Sequence, residues 1–225
     1  MYNYLKQKWS MIFGKVRKIS KRKLIIYSLL TGGIIFCFVV LFIFQARVNR
    51  TAARELRLAT SYYQQAQNVE DTKERLDKLQ KAKLLYQNIL SRFWVRDKKM
   101  TLFYLGNCLY SLKEYEEASK VLRKFDEKYG DDYFAPWARI KLAASYEQIK
   151  KYEEAIHIYK KVLERHPQSS VCPQALLGIA RCQELQGKWD EAQKSYEELS
   201  SRYPLSEEKS IAEKMIQRIR VKRKL

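Results

Sequence analysis

Residues 115–130 read YEEASKVLRKFDEKYG, residues 152–167 read YEEAIHIYKKVLERHP, and residues 189–204 read WDEAQKSYEELSSRYP. The three segments begin 37 residues apart. Behind the shared Ala118, Ala155 and Ala192 stand Leu122, Tyr159 and Tyr196, then Phe125, Val162 and Leu199, then Tyr129, His166 and Tyr203. Steps of four, three and four place these side chains on one helical face. A weaker copy fits the same offsets at Leu79, Ala82, Tyr86, Ile89 and Phe93. Self-similarity at this period marks an array of helical units, each burying its apolar face on the next.

Each segment is preceded by another helical stretch: MTLFYLGNCLYSL, WARIKLAASYEQI and ALLGIARCQELQ. In these, Leu105, Leu142 and Ile179 align, each followed by a small residue, Gly106, Ala143 or Ala180, that lets two helices approach. A basic, breaking stretch follows at Lys113, at Lys150-Lys151 and at Gly187-Lys188. Cations suit the carbonyl end of a helix, and Gly187 suits a left-handed C-cap. The acids at Glu116-Glu117, Glu153-Glu154 and Asp190-Glu191 then fall in the first turn of the next helix, where the dipole favours negative charge. They read as helix starts rather than catalytic pairs, because adjacent helical positions do not face each other. Gly130, Pro167 and Pro204 end the second helices, and Asp131, Ser169 or Ser170, and Ser206 are candidate caps for the following ones.

A small residue, an alanine twelve positions on, an aromatic four later and a closing proline together resemble the tetratricopeptide repeat (TPR). The endings His166-Pro167-Gln168-Ser169 and Tyr203-Pro204-Leu205-Ser206 look like those of the outer-membrane-assembly lipoprotein family and its bacterial envelope relatives; Tyr129-Gly130-Asp131-Asp132 departs from them. The chain has no lipidation cysteine in a small-residue context, and its layout is more similar to the inner-membrane TPR protein associated with the Sec translocon. The resemblance covers residues 50–220. It implies an all-α fold, a right-handed solenoid of helical hairpins preceded by one transmembrane helix. Three regular repeats are expected at 98–130, 131–167 and 168–204, within 97–205. A long irregular first hairpin over 46–96 and a capping helix with a basic tail over 206–225 would flank them. The resemblance also places a partner groove along the first helix of each hairpin. Its residues would be Phe103, Asn107 and Tyr110, then Trp137, Ile140 and Glu147, then Gln174, Leu177, Arg181 and Glu184. Phe103 and Trp137 fit equally as packing between helices.

The amino-terminal part is of a different kind. Leu24 to Phe44 reads LIIYSLLTGGIIFCFVVLFIF, 21 residues without a charge. As a helix it would extend ~31 Å, the thickness of bilayer hydrocarbon. Phe44-Gln45-Ala46 lacks the small residue of a cleavage site, which favours an uncleaved span. Eight Lys/Arg and no acid lie in residues 1–23, and Arg47, Arg50, Arg54 and Arg57 follow the span. The bias places residues 1–23 in the cytoplasm and the repeats across a bacterial inner membrane, in the periplasm. Tyr2, Leu5, Trp9, Ile12, Phe13, Val16 and Ile19 recur at helical steps among the cations. Two readings fit: a basic amphipathic helix lying on anionic lipid, or a disordered tail that only sets topology.

The formal net charge of +19 invites a nucleic-acid reading. Residues 46–225, however, hold 36 basic and all 25 acidic residues in alternating signs, the pattern of a solvated helical surface. Four cysteines and two histidines show no metal or disulfide spacing. No phosphate loop or nucleophile elbow is present, so no catalytic residue, cofactor or metal is expected. The expected function is a membrane-anchored scaffold or adaptor that binds a protein segment in envelope biogenesis or secretion. The alternative is a structural subunit that self-associates or packs on a second membrane protein. A weaker third reading has the basic ends bind lipid or nucleic acid.

Overall fold

The computed structural model describes residues 21–96 and 98–222. The basic amphipathic segment expected over 1–23 therefore lies almost wholly outside the described residues. Among the described residues there are nine helices and no strand. They are α1 (Lys21–Asn68), α2 (Thr72–Ser91), α3 (Lys99–Ser111), α4 (Tyr115–Tyr129), α5 (Ala135–Gln148), α6 (Tyr152–Arg165), α7 (Cys172–Leu185), α8 (Trp189–Arg202) and α9 (Glu207–Lys222). The chain divides into two compact units, residues 1–50 and 51–225.

In the first unit α1 carries the uncharged run. Every side chain from Leu24 to Phe44 is exposed, with Leu29, Phe36, Phe38 and Phe42 at 69–73%. Among the described residues this is the one helix long and apolar enough to cross a membrane.

In the second unit α2 to α9 stack as successive hairpins. Each helix packs on the next, and α3, α5, α7 and α9 also touch one another in order. The first helices thus form one continuous layer, while α4, α6 and α8 form the other. Ala82, Ala118, Ala155 and Ala192 are all fully buried, and so are the residues four later, Tyr86, Leu122, Tyr159 and Tyr196, at 0–2% exposure. Each large side chain contributes about 1.5–3 kcal/mol by leaving water, and the alanines let the helices close over them. The weak copy keeps this pattern through Ile89 but not beyond. α2 stops at Ser91, Arg92 is extended, and Phe93 is 85% exposed where Tyr129, His166 and Tyr203 are half-buried.

The junctions follow local chemistry. Glu116 and Glu117, Glu153 and Glu154, and Asp190 and Glu191 occupy first turns. Asp71 caps α2 by accepting from the Lys73 N–H at 3.0 Å. The caps anticipated for α5 and α7 differ. Phe134 and Val171 hold the N-cap positions of α5 and α7, with Pro136 and Pro173 in their first turns. Asp132, not Asp131, accepts from the Phe134 N–H at 3.0 Å, and the Ser169 hydroxyl has no partner. Proline presets the helical φ, so a side-chain cap is dispensable there. All three hairpin turns pass through the left-handed region, at Lys113 (φ 62°), Lys150 (φ 63°) and Gly187 (φ 76°).

Cys108, Cys172 and Cys182 are buried and reduced, and Cys37 is exposed on α1. Cys108 donates to the Leu79 carbonyl at 3.2 Å, and burial pushes both it and Cys182 up to about 12. Thiols that resist ionisation in this way are packing groups, not nucleophiles.

Candidate functional site

The layer of first helices carries a cavity of about 220 Å³. Five of the residues expected in the groove line it together: Tyr110 from α3, Ile140 from α5, and Gln174, Leu177 and Arg181 from α7. Ala144 and Lys141 complete the α5 side, and Glu207, Glu208 and Ile211 of α9 close one end. The floor is apolar, because Ile140 and Leu177 are buried into the core at 4% and 9% exposure. Gln174 stands exposed above it.

Lys141 is the unusual group on this surface. Its ammonium lies 4.8 Å from the centre of the Tyr110 ring. Burial alone lowers its proton affinity below the ordinary lysine value. Tyr110 is held edge-on against Tyr115 at 5.3 Å, and burial raises its pKa. A desolvated cation over an aromatic face, beside an apolar floor, suits an anionic group on an otherwise apolar segment.

The other groove candidates are engaged elsewhere. Glu147 is buried, and Arg181 grips both of its oxygens, Nη2 to Oε2 at 2.7 Å. Tyr159 donates to the same carboxylate at 3.4 Å. The bond to Glu147 raises the Arg181 pKa, while burial, then the Glu147 charge, raises that of Tyr159. Glu184, Tyr196 and Arg218 repeat this arrangement one unit on: Arg218 pairs with Glu184, and Tyr196 donates to it at 3.1 Å. Each clip ties the end of one first helix to its own second helix and to the next first helix. Its signal in the sequence is a Glu, a Tyr 12 later and an Arg 34 later, recurring at the 37-residue period.

Asn107 is 7% exposed and sits in α3 with its carbonyl oxygen unpartnered. Phe103 packs on Tyr104, Phe125 and Phe134, at 5.3–5.9 Å between ring centres. Trp137 lies against Tyr133 (5.1 Å) and lines a separate 580 Å³ recess with His166 and Pro167. Phe103 therefore takes the interhelical packing that the sequence left open, through Phe125 of α4, whereas Trp137 packs on the segment that leads into its own helix. A charged cluster not anticipated lies behind that recess. Arg139 of α5, wholly buried, donates to Asp126 Oδ1 (2.6 Å) and the Gly130 carbonyl (2.8 Å), and its Nη1 meets His166 Nε2 at 2.7 Å. Lys161 takes the second Asp126 oxygen at 2.6 Å. A Cβ on Gly130 would stand 2.9 Å from the Arg139 guanidinium and 2.6 Å from the Asp126 carbonyl, so this junction needs glycine where its counterparts have proline. Among the described residues no group of three or more His, Cys, Asp or Glu is placed to hold a metal.

Comparison with known proteins agrees with this fold. Residues 134–204 match the family model described as tetratricopeptide repeat, and residues 76–162 match that described as anaphase-promoting complex, cyclosome, subunit 3. The chain contains tetratricopeptide repeats. Among solved structures, a similar fold is found in the type III secretion chaperone SycD of Yersinia enterocolitica, bound to a peptide of the translocator YopD. It is 20% identical, with 59% of this chain and 99% of that chain covered and a TM-score of 0.50. The chain MamA MSR-1 C2 is 16% identical, with coverage of 74% and 84% and a TM-score of 0.53. No curated protein matches the chain.

Proposed function

We propose that this chain is a membrane-anchored, non-catalytic adaptor that holds a segment of a partner protein in the groove formed by α3, α5 and α7. The observation that carries the reading is the cavity itself. Three successive first helices contribute an apolar floor, an aromatic wall and one desolvated cation to a single recess. An extended or helical segment with apolar side chains and a carboxylate matches that chemistry. The fold it shares with SycD accommodates a translocator peptide in that protein. The clips at Glu147 and Glu184 hold the first helices in register, so the recess is preformed and little ordering is needed on binding.

The exposed apolar run of α1 anchors the adaptor in a bacterial inner membrane. Its basic amino-terminal flank is cytoplasmic and the repeats are extracytoplasmic, where they serve envelope assembly or secretion. Co-purification in mild detergent tests the groove. Lys141→Glu and Gln174→Arg, which reverse or crowd the recess without touching the core, are expected to lose the partners that the unaltered chain retains. Equal recovery from the altered chain contradicts the groove, and recovery of this chain alone favours the self-associating subunit. Protease added to sealed spheroplasts tests orientation. Cleavage within residues 46–225 from outside is expected, and protection until lysis would reverse the topology.

A further inference from the structure

The clips at Glu147 and Glu184 have no counterpart in the first regular repeat. In register with Glu147, Tyr159 and Arg181, 37 residues earlier, stand Tyr110, Leu122 and Ala144. The acid, the hydroxyl donor and the guanidinium are all replaced. Leu122 is wholly buried in the core, but Tyr110 and Ala144 are half-buried and line the 220 Å³ recess. Arg181 and Arg218 each reach back to an acid on the preceding first helix. Ala144 ends at its methyl group, so the corresponding space is open. Arg181 also lines that space, already fixed on Glu147.

The chemistry around the opening indicates what fills it. Lys141 lies three residues before Ala144, on the same face of α5. Among the described residues, the other half-buried lysines and arginines each reach a carboxylate or carbonyl oxygen. Lys141 has only the Tyr110 ring, at 4.8 Å. A half-buried ammonium has lost part of its hydration, and a ring face replaces that less well than an anion does. The floor beside it is Ile140 and Leu177, both buried into the core. At 220 Å³ the recess exceeds the ~150 Å³ of a cavity that takes up benzene, so it has room for one large side chain. Omitting a clip in one repeat while two others keep it gives up stability where a surface must stay open.

We propose that the recess is an unfilled clip position specified by Ala144 and Tyr110, and that a partner segment fills it with one large apolar side chain set beside a carboxylate that pairs with Lys141. It rests on the reading that this groove holds a partner segment. Ala144 and Tyr110 then set which side chain is admitted, and Lys141 sets the charge of its neighbour.

A random peptide library displayed on phage and panned on the full-length chain in mild detergent tests this. Recovered peptides are expected to carry a large apolar or aromatic residue within about four positions of an acid. One such peptide, labelled with a fluorophore, is then titrated by anisotropy. Tyr110→Glu with Ala144→Arg closes the recess with the charges of the other two clips. This double variant is expected to bind the peptide at least about tenfold more weakly and to melt no lower than the unaltered chain. Affinity retained by it, or a lower melting temperature, overturns the unfilled clip; the groove reading stands without it where Gln174→Arg still abolishes binding. Recovered peptides without an acid, or an acid whose replacement by the amide changes nothing, overturn the pairing with Lys141. Failure to recover any peptide, or binding indifferent to every substitution in the groove, overturns this proposal and the groove together.

Discussion

Replacing Arg139 with methionine isolates the charged cluster that joins the first two regular repeats. The side chain is fully buried and makes three polar contacts, to Asp126 (2.6 Å), to the Gly130 carbonyl (2.8 Å) and to His166 Nε2 (2.7 Å). Methionine keeps the aliphatic stem and removes all three. Breaking a buried ion pair from one side costs about 3–5 kcal/mol, mostly because the remaining charge is stranded. Here Asp126, whose side chain is 6% exposed, keeps Lys161 at 2.6 Å, which offsets part of that cost. The Gly130 carbonyl and the His166 lone pair lose their donor and add about 1–3 kcal/mol between them. The expected loss is about 3–4 kcal/mol, a large fraction of the about 5–15 kcal/mol typical of a domain. Urea unfolding of residues 51–225, followed by circular dichroism, reads it, and amide hydrogen exchange locates it. Protection is expected to fall first in α4, α5 and α6, because an array unravels at its weakest interface. Arg139→Met with Asp126→Leu removes both charges and is expected to recover more than half of the loss. A loss below about 1 kcal/mol for the single variant, or a double variant worse than the single, would refute the reasoning.

The same cluster sets a pH dependence. His166 accepts from Arg139 and so is neutral in the fold; burial and then the Arg139 charge lower its pKa below the ordinary 6.5. The unfolded chain binds the proton more readily, so stability is present above 6.5 and falls as pH drops below it. Denaturation midpoints from pH 7.5 to 5.5 are expected to decline more steeply than in His166→Gln, and parallel slopes would contradict this. At the hairpin turns, Lys113→Gly and Lys150→Gly each relieve a left-handed lysine, while Gly187 already occupies the third turn. Each is expected to stabilise by about 1 kcal/mol, read as a rise in midpoint, and a fall would contradict it. Arg181→Met strands the buried Glu147 carboxylate, and Arg218→Met does the same to Glu184. Because both arginines are about half exposed, each loss is expected at about 1–3 kcal/mol, between surface and buried pairs. Equilibrium unfolding at low and high salt checks it, and indifference to both changes would remove the clips from the account.

What the sequence disclosed, and what it withheld, follows from the range of each interaction. Ala118, Ala155 and Ala192, with the large residue four positions later, lie within one helical turn, and periodicity reads such pairs directly. The interrepeat pairs join residues 33–35 apart, as in Lys99–Asp132, Arg181–Glu147 and Arg218–Glu184. Single-helix periodicity is blind to that range, although the repeat register brings the clip out once the copies are aligned. Arg139 was illegible, because an arginine in an amphipathic helix ordinarily faces water and only the tertiary fold supplies Asp126 and His166. Lys113 and Lys150 read as C-terminal cations, whereas only Gly187 carried the signature of a left-handed turn. Phe93 fitted the repeat offsets, but an extended Arg92 ends α2 before the pattern is complete and turns the ring outward. Tyr110, Ile140, Gln174, Leu177 and Arg181 came together in one recess because first helices contact each other in order. Phe103 and Trp137, from the same helices, are drawn into aromatic packing at the opposite end.

Photocrosslinking in intact membranes bears most directly on the groove. A photoreactive residue at Gln174, exposed above the apolar floor, is compared with one at Lys194 on α8, exposed in the other layer. The account predicts adducts with a different protein from position 174 that Lys141→Glu diminishes, and none of the same species from position 194. Adducts only with a second copy of this chain, or equal yields from both faces, would contradict it.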